Sequence, residues 1–596
     1  MKNRLVKGTL DEFKKDNLIE NLDDSKAFEY LVNYLIISMV EPEAVYEDKT
    51  IIQEIDVDKT GTFGIDTIAI FINERLITSL EELIEVKENK FVKRIEPHFV
   101  FIQSKTSEKY ETGDILKFIT AVANLLSEEP DIPIEDELKF FRSVFRKLFE
   151  PEFIRLVDKP QITAYYAATG KPEYDGRILG IIRRGEKEIK ASFQEAGDVK
   201  VQLLGSDFIV DTFKEIQRSA SATIHFKNHL SLDYIEDVQQ AYIGYISGRE
   251  FLALIENEHG NIKKNIFYEN VRAFQGEENP VNAGIAKSIK NSNLQNKFIL
   301  LNNGVTVVTK RLQIIGGNKF DIDDFQIVNG CQTTSVFHKN KLSVSDLDSF
   351  FIPIKIIHTD NHELIGKIIL ATNKQTEIPD EAFLAINKFN KELQEYYQYI
   401  AKDMNLPYQL FYERRQREYY AENINKSYII SIYDQILSYN AIILGRPDFC
   451  YKRKSREIYK ELTQKGNIFS LEHSPFPYFT SSYILFVIDK YFNNDLIPHQ
   501  YRKYRYYLGY IYRSLIMKET KMKLGNKRQV ELDCRGILNT INVNRDSENL
   551  FEEAIRVLEN SQMVFKPSGK KRFYEEIRQN TSFRDTVEKE IGRAIR

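Results

Sequence analysis

The sequence has few cysteines, no long apolar segment and no excess of positive charge, and each absence excludes a class of protein. Only three cysteines occur, at positions 331, 450 and 534. They are too few and too scattered for a disulfide framework or a structural zinc site. No apolar run approaches the roughly 18 residues that span a bilayer, and the first residues lack the apolar core of a signal peptide. These absences predict a soluble, cytoplasmic protein that does not enter a membrane.

The charge balance excludes a chain that is basic overall. The 596 residues include 83 Lys or Arg and 87 Asp or Glu, so any contact with nucleic acid must come from local patches. At roughly 100–200 residues per domain, this length predicts about three to five domains. The hydrophobic content of 42% is sufficient to form several cores.

The first 150 residues show the pattern of one compact α/β domain. Apolar residues recur at helical spacing over 25–38, and the segments IIQEIDV, GIDTIAIFI and HFVFIQSK then predict three strands. Helical periodicity returns from Gly113 and again from Leu138 to Phe149. The order predicted is therefore a helix, three strands and two helices.

The rest of the chain predicts two further regions. Residues 151–385 form a mixed α/β or α+β region, in which ITAYYAA, ILGIIRR and VKVQLLG predict short strands. Residues 386–596 are rich in tyrosine and lysine and show amphipathic stretches with few turn residues, which favours helices. The fold class predicted is multidomain, α/β and α+β, with a mainly helical C-terminal region.

Polar residues at the ends of two predicted strands of the first domain can form a catalytic site. Asp66 begins one strand, and Gln103 and Lys105 close another. Two residues of separation place the side chains of Gln103 and Lys105 on one face. Glu29, on the first helix, can supply a further carboxylate. Hydrolysis of a phosphodiester uses a hard cation held by such oxygens and a cationic side chain near the phosphate. The alternative is a solvated Asp and Lys on an inactive domain.

This set resembles the Mrr-like branch of the PD-(D/E)xK nucleases. The resemblance rests on helix-borne Glu29, on GID at 64–66 and on FIQSK at 101–105. It implies a restriction-endonuclease-like α/β fold in which Asp66 and Gln103 bind Mg²⁺ or Mn²⁺ and Lys105 positions water and phosphate. Gln103 stands at an acidic ligand position, and a neutral amide oxygen binds a hard cation more weakly than a carboxylate.

The central region contains two Asn-Gly segments, LNNGVTVVTK at 301–310 and FQIVNGCQTTSVF at 325–337. Between β-branched runs, Asn-Gly predicts tight turns joining strands. The same segments gather amides and hydroxyls that can bind a phosphate, sugar or base. Both interpretations stay open. The residues concerned are Asn302, Asn303, Asn329, Gln332, Thr333 and Thr334.

Five ordered segments resemble the AIPR family, named for abortive infection and phage resistance. They are NVR at 270–272, NNGVTVV at 302–308, IVNGCQTT at 327–334, ATNKQTEI at 371–378 and YERR at 412–415. With weaker similarity around 162–170, the resemblance covers roughly residues 155–430. It implies a cytoplasmic antiphage protein, commonly with a nuclease-like N-terminal domain. Further candidate residues for binding nucleic acid or a ligand in these segments are Arg272, Asn373, Arg414 and Arg415.

The segment from His499 to Arg528 contains nine Lys or Arg and one Glu, interleaved with tyrosines. Cations beside aromatic rings are expected in a nucleic-acid groove, which makes Arg502, Lys503 and Arg505 candidates for phosphate binding. The alternative is a helix whose tyrosines enter a core while its cations are solvated.

These patterns lead to one main functional hypothesis and two alternatives. The first is a Mg²⁺-dependent endonuclease in antiphage defence, acting on DNA in preference to RNA and restrained until a phage-derived trigger appears. The second is a non-catalytic protein with a degenerate nuclease fold that binds nucleic acid or senses phage. The third is an RNase toxin. Cleavage of both strands with one site per chain favours a homodimer.

Overall fold

The computed structural model describes most of the chain, in three units that we name N-terminal (2–217), central (218–372) and helical (387–596). The residues described are 2–57, 64–88, 92, 94–135, 138–257, 260–267, 280–372, 387–416, 418–419, 422, 424–452, 454–542, 544–565 and 577–596.

A five-stranded mixed sheet forms the centre of the N-terminal unit, in the order β2-β1-β3-β4-β5. Strand β3 runs antiparallel to β1 and parallel to β4, and β5 is parallel to β4. All six residues of β1 are buried because helices cover both faces of the sheet. The strands are β1 Thr67–Ile72, β2 Arg75–Leu76, β3 Pro97–Lys105, β4 Gln161–Ala168 and β5 Val199–Leu204.

Two helical layers enclose this sheet. Helices α1, α2 and α9 pack on the face that Val100 and Ile102 share, whereas α5 to α8 pack on the face of Phe99 and Phe101. The helices are α1 Arg4–Asp16, α2 Asp24–Val40, α3 Pro42–Glu47, α4 Ile51–Glu54, α5 Leu80–Glu88, α6 Thr112–Leu126, α7 Lys139–Leu148, α8 Gly176–Ser192 and α9 Ser206–Gln217.

Two strand predictions in this part of the chain are wrong, and the first, IIQEIDV, is mostly the short helix α4. The ILGIIRR segment lies in helix α8. Asp175 caps the start of this helix, because its carboxylate accepts the amide of Ile178 at 2.8 Å. The buried residues Ile178, Gly185 and Ile189 follow helical spacing, which the run of isoleucines obscures. The first sheet also continues through β4 and β5, so the expected boundary near residue 150 falls within the unit that this sheet organises.

The central unit contains a six-stranded sheet in the order β6-β10-β9-β11-β8-β7. Its strands are β6 Ser221–His225, β7 Asn228–Ser231, β8 Gln240–Ser247, β9 Val305–Gly316, β10 Lys319–Asn329 and β11 Phe351–His358. The main core lies on one face and a smaller cluster on the other. The helices are α10 Gly248–Ile255, α11 Pro280–Lys290, α12 Ser292–Gln295, α13 Phe298–Leu301, α14 Cys331–Asn340 and α15 His362–Thr372.

The third unit is helical, as predicted, apart from the short parallel pair β12 Phe411–Glu413 and β13 Ile429–Ser431. Its helices are α16 Lys388–Asp403, α17 Ile432–Ser438, α18 Pro447–Lys452, α19 Ser455–Gln464, α20 Phe476–Asn493, α21 Arg505–Met517, α22 Lys527–Asn542, α23 Asn544–Val564 and α24 Thr581–Ala594. None of the helices in the described part of the chain is long and apolar enough to cross a membrane.

Ion pairs join the helical unit to the N-terminal unit. Arg456 contacts Glu43 at 3.0 Å and Glu47 at 2.7 Å, and Arg75 contacts Glu457 at 3.0 Å. These side chains are 8–35% exposed, so the pairs are screened less by salt than a fully exposed pair. The two units therefore share a polar, partly dehydrated interface.

Candidate functional site

Asp66 lies at the end of the first sheet, where strand β1 begins. Its amide donates to the carbonyl of Ile102 at 3.0 Å, and its Oδ2 accepts the amide of Ser104 at 2.6 Å. Thr67 lies opposite Ile102 in the antiparallel pairing of β1 and β3. Beyond that pair, the Asp66 carboxylate takes the place of a backbone carbonyl as the acceptor for β3. This short bond to β3 fixes Asp66 beside the residues that close that strand.

Gln103 and Lys105 share one face of β3, which confirms the prediction from their spacing. Phe99 and Phe101 belong to the core beneath α6, and the alternation along the strand continues to Gln103 and Lys105. Gln103 is buried, while Lys105 is half-buried at the strand end. Extending the register of β1 and β3 by one residue places Asp66 opposite Gln103.

A tyrosine that the sequence did not indicate completes this face. Tyr166 in β4 is the register partner of Gln103, and both side chains are buried. Neither Gln103 Oε1 nor Tyr166 Oη has a hydrogen-bond partner in the described part of the chain. Two adjacent buried oxygens without partners are costly unless water, a ligand or an ion contacts them. The ITAYYAA strand pattern marks this position, but only the pairing of β3 with β4 brings it to Gln103.

Gly64 lets the backbone that leads to Asp66 pass close to the side chain of Gln103. It has φ +99°, and a Cβ atom there would lie 3.3 Å from Gln103 Nε2. The backbone of Phe118 in α6 lies on the same side. A side chain at this position would therefore strain the backbone and press on Gln103.

Glu29 approaches from the other helical layer, on α2. Its carboxylate lies 2.7 Å from Lys26, whose ammonium also lies 2.9 Å from Asp56. Burial raises the pKa of Glu29 to about 7, and Asp66 and Asp56 add to the rise against the opposing effect of Lys26. Burial also raises the pKa of Tyr166, and Asp114 and Asp66 add to the rise. The charge of Asp66 therefore acts both on the face of Gln103 and Tyr166 and on a second group that consists of Lys26, Glu29 and Asp56.

The second group was only partly predicted from the sequence. Asp56 pairs with Thr67 in an isolated antiparallel bridge, so the IIQEIDV segment reaches the sheet only at its end. Most of that segment is the short helix α4. The described residues contain no group of three or more His, Cys, Asp or Glu side chains placed to hold a metal ion.

The two Asn-Gly segments of the central unit meet, although they do not form the predicted hairpin turns. Asn302 to Gly304 joins α13 to β9, and Asn329-Gly330 joins β10 to α14, while the β9–β10 turn lies at Gly316 and Gly317. The two segments therefore lie at the open end of that hairpin. Gly330, with φ +98°, packs so closely that an added Cβ would lie 2.7 Å from Val305.

The amides and hydroxyls at this junction bind largely to one another. Asn302 Nδ2 donates to Thr333 Oγ1 at 3.1 Å, and Asn329 Nδ2 donates to the carbonyl of Thr372 at 2.5 Å. Thr334 donates to the carbonyl of Gly330 at 2.9 Å. Asn303 is exposed and Gln332 half-buried. These contacts show that the side chains stabilise the junction.

The remaining predicted binding residues lie elsewhere. Arg272 and Asn373 fall outside the described residues. Arg414 Nε donates to Gln394 at 2.8 Å, and Arg415 is buried. Both arginines are therefore part of the packing of the helical unit.

Two of the three C-terminal candidates are internal. The side chains of Arg502 and Arg505 are only 11% and 14% exposed, and Arg505 pairs with Asp489 at 2.9 Å. Arg502 donates to the carbonyls of Asn17 and Leu18 at the end of α1. Lys503 alone of these three is exposed. Arg502 therefore joins the helical unit to the N-terminal unit, and Arg505 forms an ion pair within the helical unit, so neither lines an open groove.

The chain belongs to the AIPR family, whose family model, described as AIPR protein, matches residues 267–565. The match covers half of the chain, in a mixed α/β protein with separate sheets. It contains all five ordered segments and confirms the family that they indicate, but it begins at residue 267 and does not include the similarity expected around 162–170. It supports a role in abortive-infection defence against phage. No curated protein and no solved structure matches the chain.

Proposed function

We propose that this protein is a metal-dependent nuclease of the PD-(D/E)xK type that cleaves DNA in abortive-infection defence. The observation that carries the proposal is the convergence of Asp66, Gln103 and Lys105 at one end of a mixed sheet. The order of elements supports it. Helix α2 is followed by the bridge at Asp56, the antiparallel strands β1 and β3, helix α6 and the parallel strand β4.

The oxygens near Asp66 suit a hard cation. Gln103 Oε1 is buried and accepts no hydrogen bond from a described residue, and the Asp66 carboxylate comes from the neighbouring strand. Mg²⁺ keeps several waters and needs only one or two protein carboxylates, so Asp66 with Gln103 is a sufficient ligand set. The chemistry that bound Mg²⁺ or Mn²⁺ supplies is polarisation of the phosphoryl oxygen and activation of water.

The chain's own side chains then have separate tasks. Lys105 places a positive charge at the strand end, where it stabilises the charge that develops on an attacked phosphate. Glu29, with its pKa near 7, can hold or release a proton at neutral pH from the α2 side of Asp66. Tyr166, the register partner of Gln103, places a second buried oxygen on this face.

Plasmid cleavage tests the proposal. We expect Asp66→Asn and Lys105→Ala to lower Mg²⁺-dependent cleavage by about 100-fold or more, because each removes a group that acts on the phosphate or its metal. Asn at position 66 can still accept the amide of Ser104, so the fold is retained. Lys109→Ala, an exposed lysine four residues further on, serves as the matched control. Equal cleavage by all four proteins would refute the assignment.

Gln103 gives a test of metal binding. We expect Gln103→Glu to lower the Mg²⁺ concentration needed for half-maximal cleavage, because a carboxylate binds a hard cation more tightly than an amide. Gln103→Leu removes the oxygen and should abolish the activity. If Gln103→Leu cleaves like the wild type, the residue is not a ligand.

One observation favours the alternative of a non-catalytic DNA-binding protein. The bond from Ser104 to Asp66 gives this carboxylate a structural role in the ladder that needs no metal. Binding of plasmid without cleavage at any Mg²⁺ or Mn²⁺ concentration would establish this alternative. Cleavage of total RNA with intact plasmid would instead establish the RNase alternative.

The active assembly and its control are part of the proposal. Cleavage of both strands needs two sites, which a twofold dimer provides. A phage-derived trigger would relieve the restraint that a cytoplasmic nuclease requires. Light scattering of the free and DNA-bound protein measures the first point, and a chain that stays monomeric while cutting both strands would contradict it.

A further inference from the structure

Helix α8 presents a cationic outer face. Arg177, Arg183, Arg184 and Lys187 are exposed, and none of them forms an ion pair with a residue that the structure describes. Among the described residues, this group makes one side-chain hydrogen bond, from Arg183 Nε to the carbonyl of Leu179 at 3.3 Å. These four charges therefore remain available to a partner in solution.

The two glutamates of the same helix are half-buried, and each accepts a hydrogen bond from a neighbouring element. Glu186 accepts the amide of Val201 at 3.2 Å, and Glu188 accepts the hydroxyl of Thr120 at 3.1 Å. Lys190 is also turned in, toward the carbonyl of Ala196. The sequence of α8 is mixed in charge, but its fully exposed charges are cations, because both glutamates are half-buried and hydrogen-bonded to neighbouring elements.

The first turn of this helix lies at the same end of the sheet as the proposed nuclease site. Strand β4, which precedes α8, is parallel to β3 and pairs Ala168 with Lys105. The first turn of α8, with Arg177, is thus at the same end of the sheet as Lys105. Gly185 brings α8 against Ile119 of α6, the helix that covers Gln103. The cationic face and the site belong to one layer of the N-terminal unit.

The spacing of the cations suits a polyphosphate. Arg177 and Lys187 are ten residues apart, or about 15 Å along a helix. Duplex DNA carries about one charge per 1.7 Å of its axis, so this length faces several phosphates. Gly176 and Gly180 have no neighbouring atoms where a Cβ would be, so a DNA backbone can approach the helix closely.

We propose that the outer face of α8 is the docking surface for the backbone of duplex DNA and leads the DNA to Asp66 and Lys105. The delivery of DNA to a cleavage site rests on the proposed nuclease function, but the binding of DNA by α8 does not. Arg177, Arg184 and Lys187 supply charge to the DNA and are not catalytic residues.

The test compares two variants of the full chain that each lose three exposed cations. One is Arg177→Gln/Arg184→Gln/Lys187→Gln, and the control is Lys521→Gln/Lys523→Gln/Lys527→Gln in the helical unit. Binding of a short duplex DNA is measured by fluorescence anisotropy in EDTA, where cleavage cannot occur. We expect the α8 variant to lose at least about 10-fold in affinity, with a salt dependence weaker by about three phosphate contacts. We expect the control to bind like the wild type.

The outcomes separate this proposal from the proposed function. Unchanged DNA affinity of the α8 variant, with unchanged thermal stability, overturns the docking surface even if plasmid is cleaved. A loss confined to the control variant also overturns it. Binding through α8 to duplex RNA but not to duplex DNA refutes the choice of DNA. DNA binding that depends on α8 in a protein that never cleaves supports the docking surface and refutes the nuclease.

Discussion

The two basic segments of this chain, 499–528 and helix α8, differ in how far their cations are exposed to solvent. The first holds nine cations and a row of tyrosines, yet Arg502, Arg505 and Arg513 turn inward. The second holds fewer cations beside two glutamates, and its outer face is positive. Charge counted along a segment therefore does not show which charges reach solvent.

The tyrosines explain why the first segment is internal. Tyr512 stacks on Phe551 at 3.9 Å and bonds to Ser547, and Tyr507 donates to the carbonyl of Arg578. A buried tyrosine contributes a large apolar surface when its hydroxyl finds a partner. These rings form the core of the helical unit, so they are not available to stack on bases. The arginines between these tyrosines are largely buried because they lie in the same packed segment.

The largest expected difference concerns Arg513. It is fully buried and donates to the carbonyls of Ile442, Glu519 and Thr520. We expect Arg513→Ala to lower the free energy of unfolding by about 3–5 kcal/mol, because three buried acceptors lose their donor and a cavity remains. We expect Arg184→Ala in α8 to change it by less than about 0.5 kcal/mol. Denaturant unfolding measures both, and similar values would break the comparison.

A smaller loss is expected at the pair of Arg505 and Asp489. Arg505→Ala leaves a largely buried carboxylate without its closest partner, which should lower stability by about 2–4 kcal/mol. The double variant Arg505→Met/Asp489→Leu should be more stable than Arg505→Ala, since it removes both charges. If the double variant is instead the less stable protein, the pair is not a dehydrated ion pair of the helical unit.

The stability of the interface between the helical and N-terminal units should depend on pH, whereas the exposed cations of α8 should not add to this dependence. Glu413, which accepts a bond from Tyr46 of the N-terminal unit, is buried, and burial raises its pKa from 4.5 to about 7. The folded pKa is raised, so its stability contribution is full below about pH 4.5 and is lost as the pH rises through about 7. The expected loss is up to about 3 kcal/mol. Glu413→Gln should remove this dependence, and unfolding midpoints at pH 5 and pH 8 measure it. An equal fall in both proteins would assign the effect to other groups.

The smallest effect is expected at Lys503, the exposed neighbour of the buried Arg502. Lys503→Ala should change stability by less than about 0.5 kcal/mol and leave duplex DNA affinity unchanged. Arg502→Ala is the contrasting variant, because it loses the bonds to Asn17 and Leu18. A large loss of DNA affinity in Lys503→Ala alone would support the prediction that residues 499–528 form a nucleic-acid groove.

Local sequence patterns predicted some elements of the fold correctly. They were wrong where tertiary packing determines whether a segment is a strand, a helix or a turn. The alternation in HFVFIQSK gave the strand and the shared face of Gln103 and Lys105 correctly. The isoleucines at 178–182 suggested a strand, although the burial of Gly185 on α6 makes this segment a helix. The Asn-Gly segments suggested hairpins because the turn residues are right, but each leads into or out of a helix.

The sequence by itself determined the AIPR family, the strand that carries Gln103 and Lys105, and the helical C-terminal part, because these depend on ordered segments and on periodicity along the chain. Only the tertiary structure decided the partners across the chain. Tyr166 meets Gln103 and Lys26 meets Asp56 through pairings that no local spacing encodes. The same holds for the cations of 499–528 and of α8, because whether a charge is buried depends on what the rest of the chain packs against it.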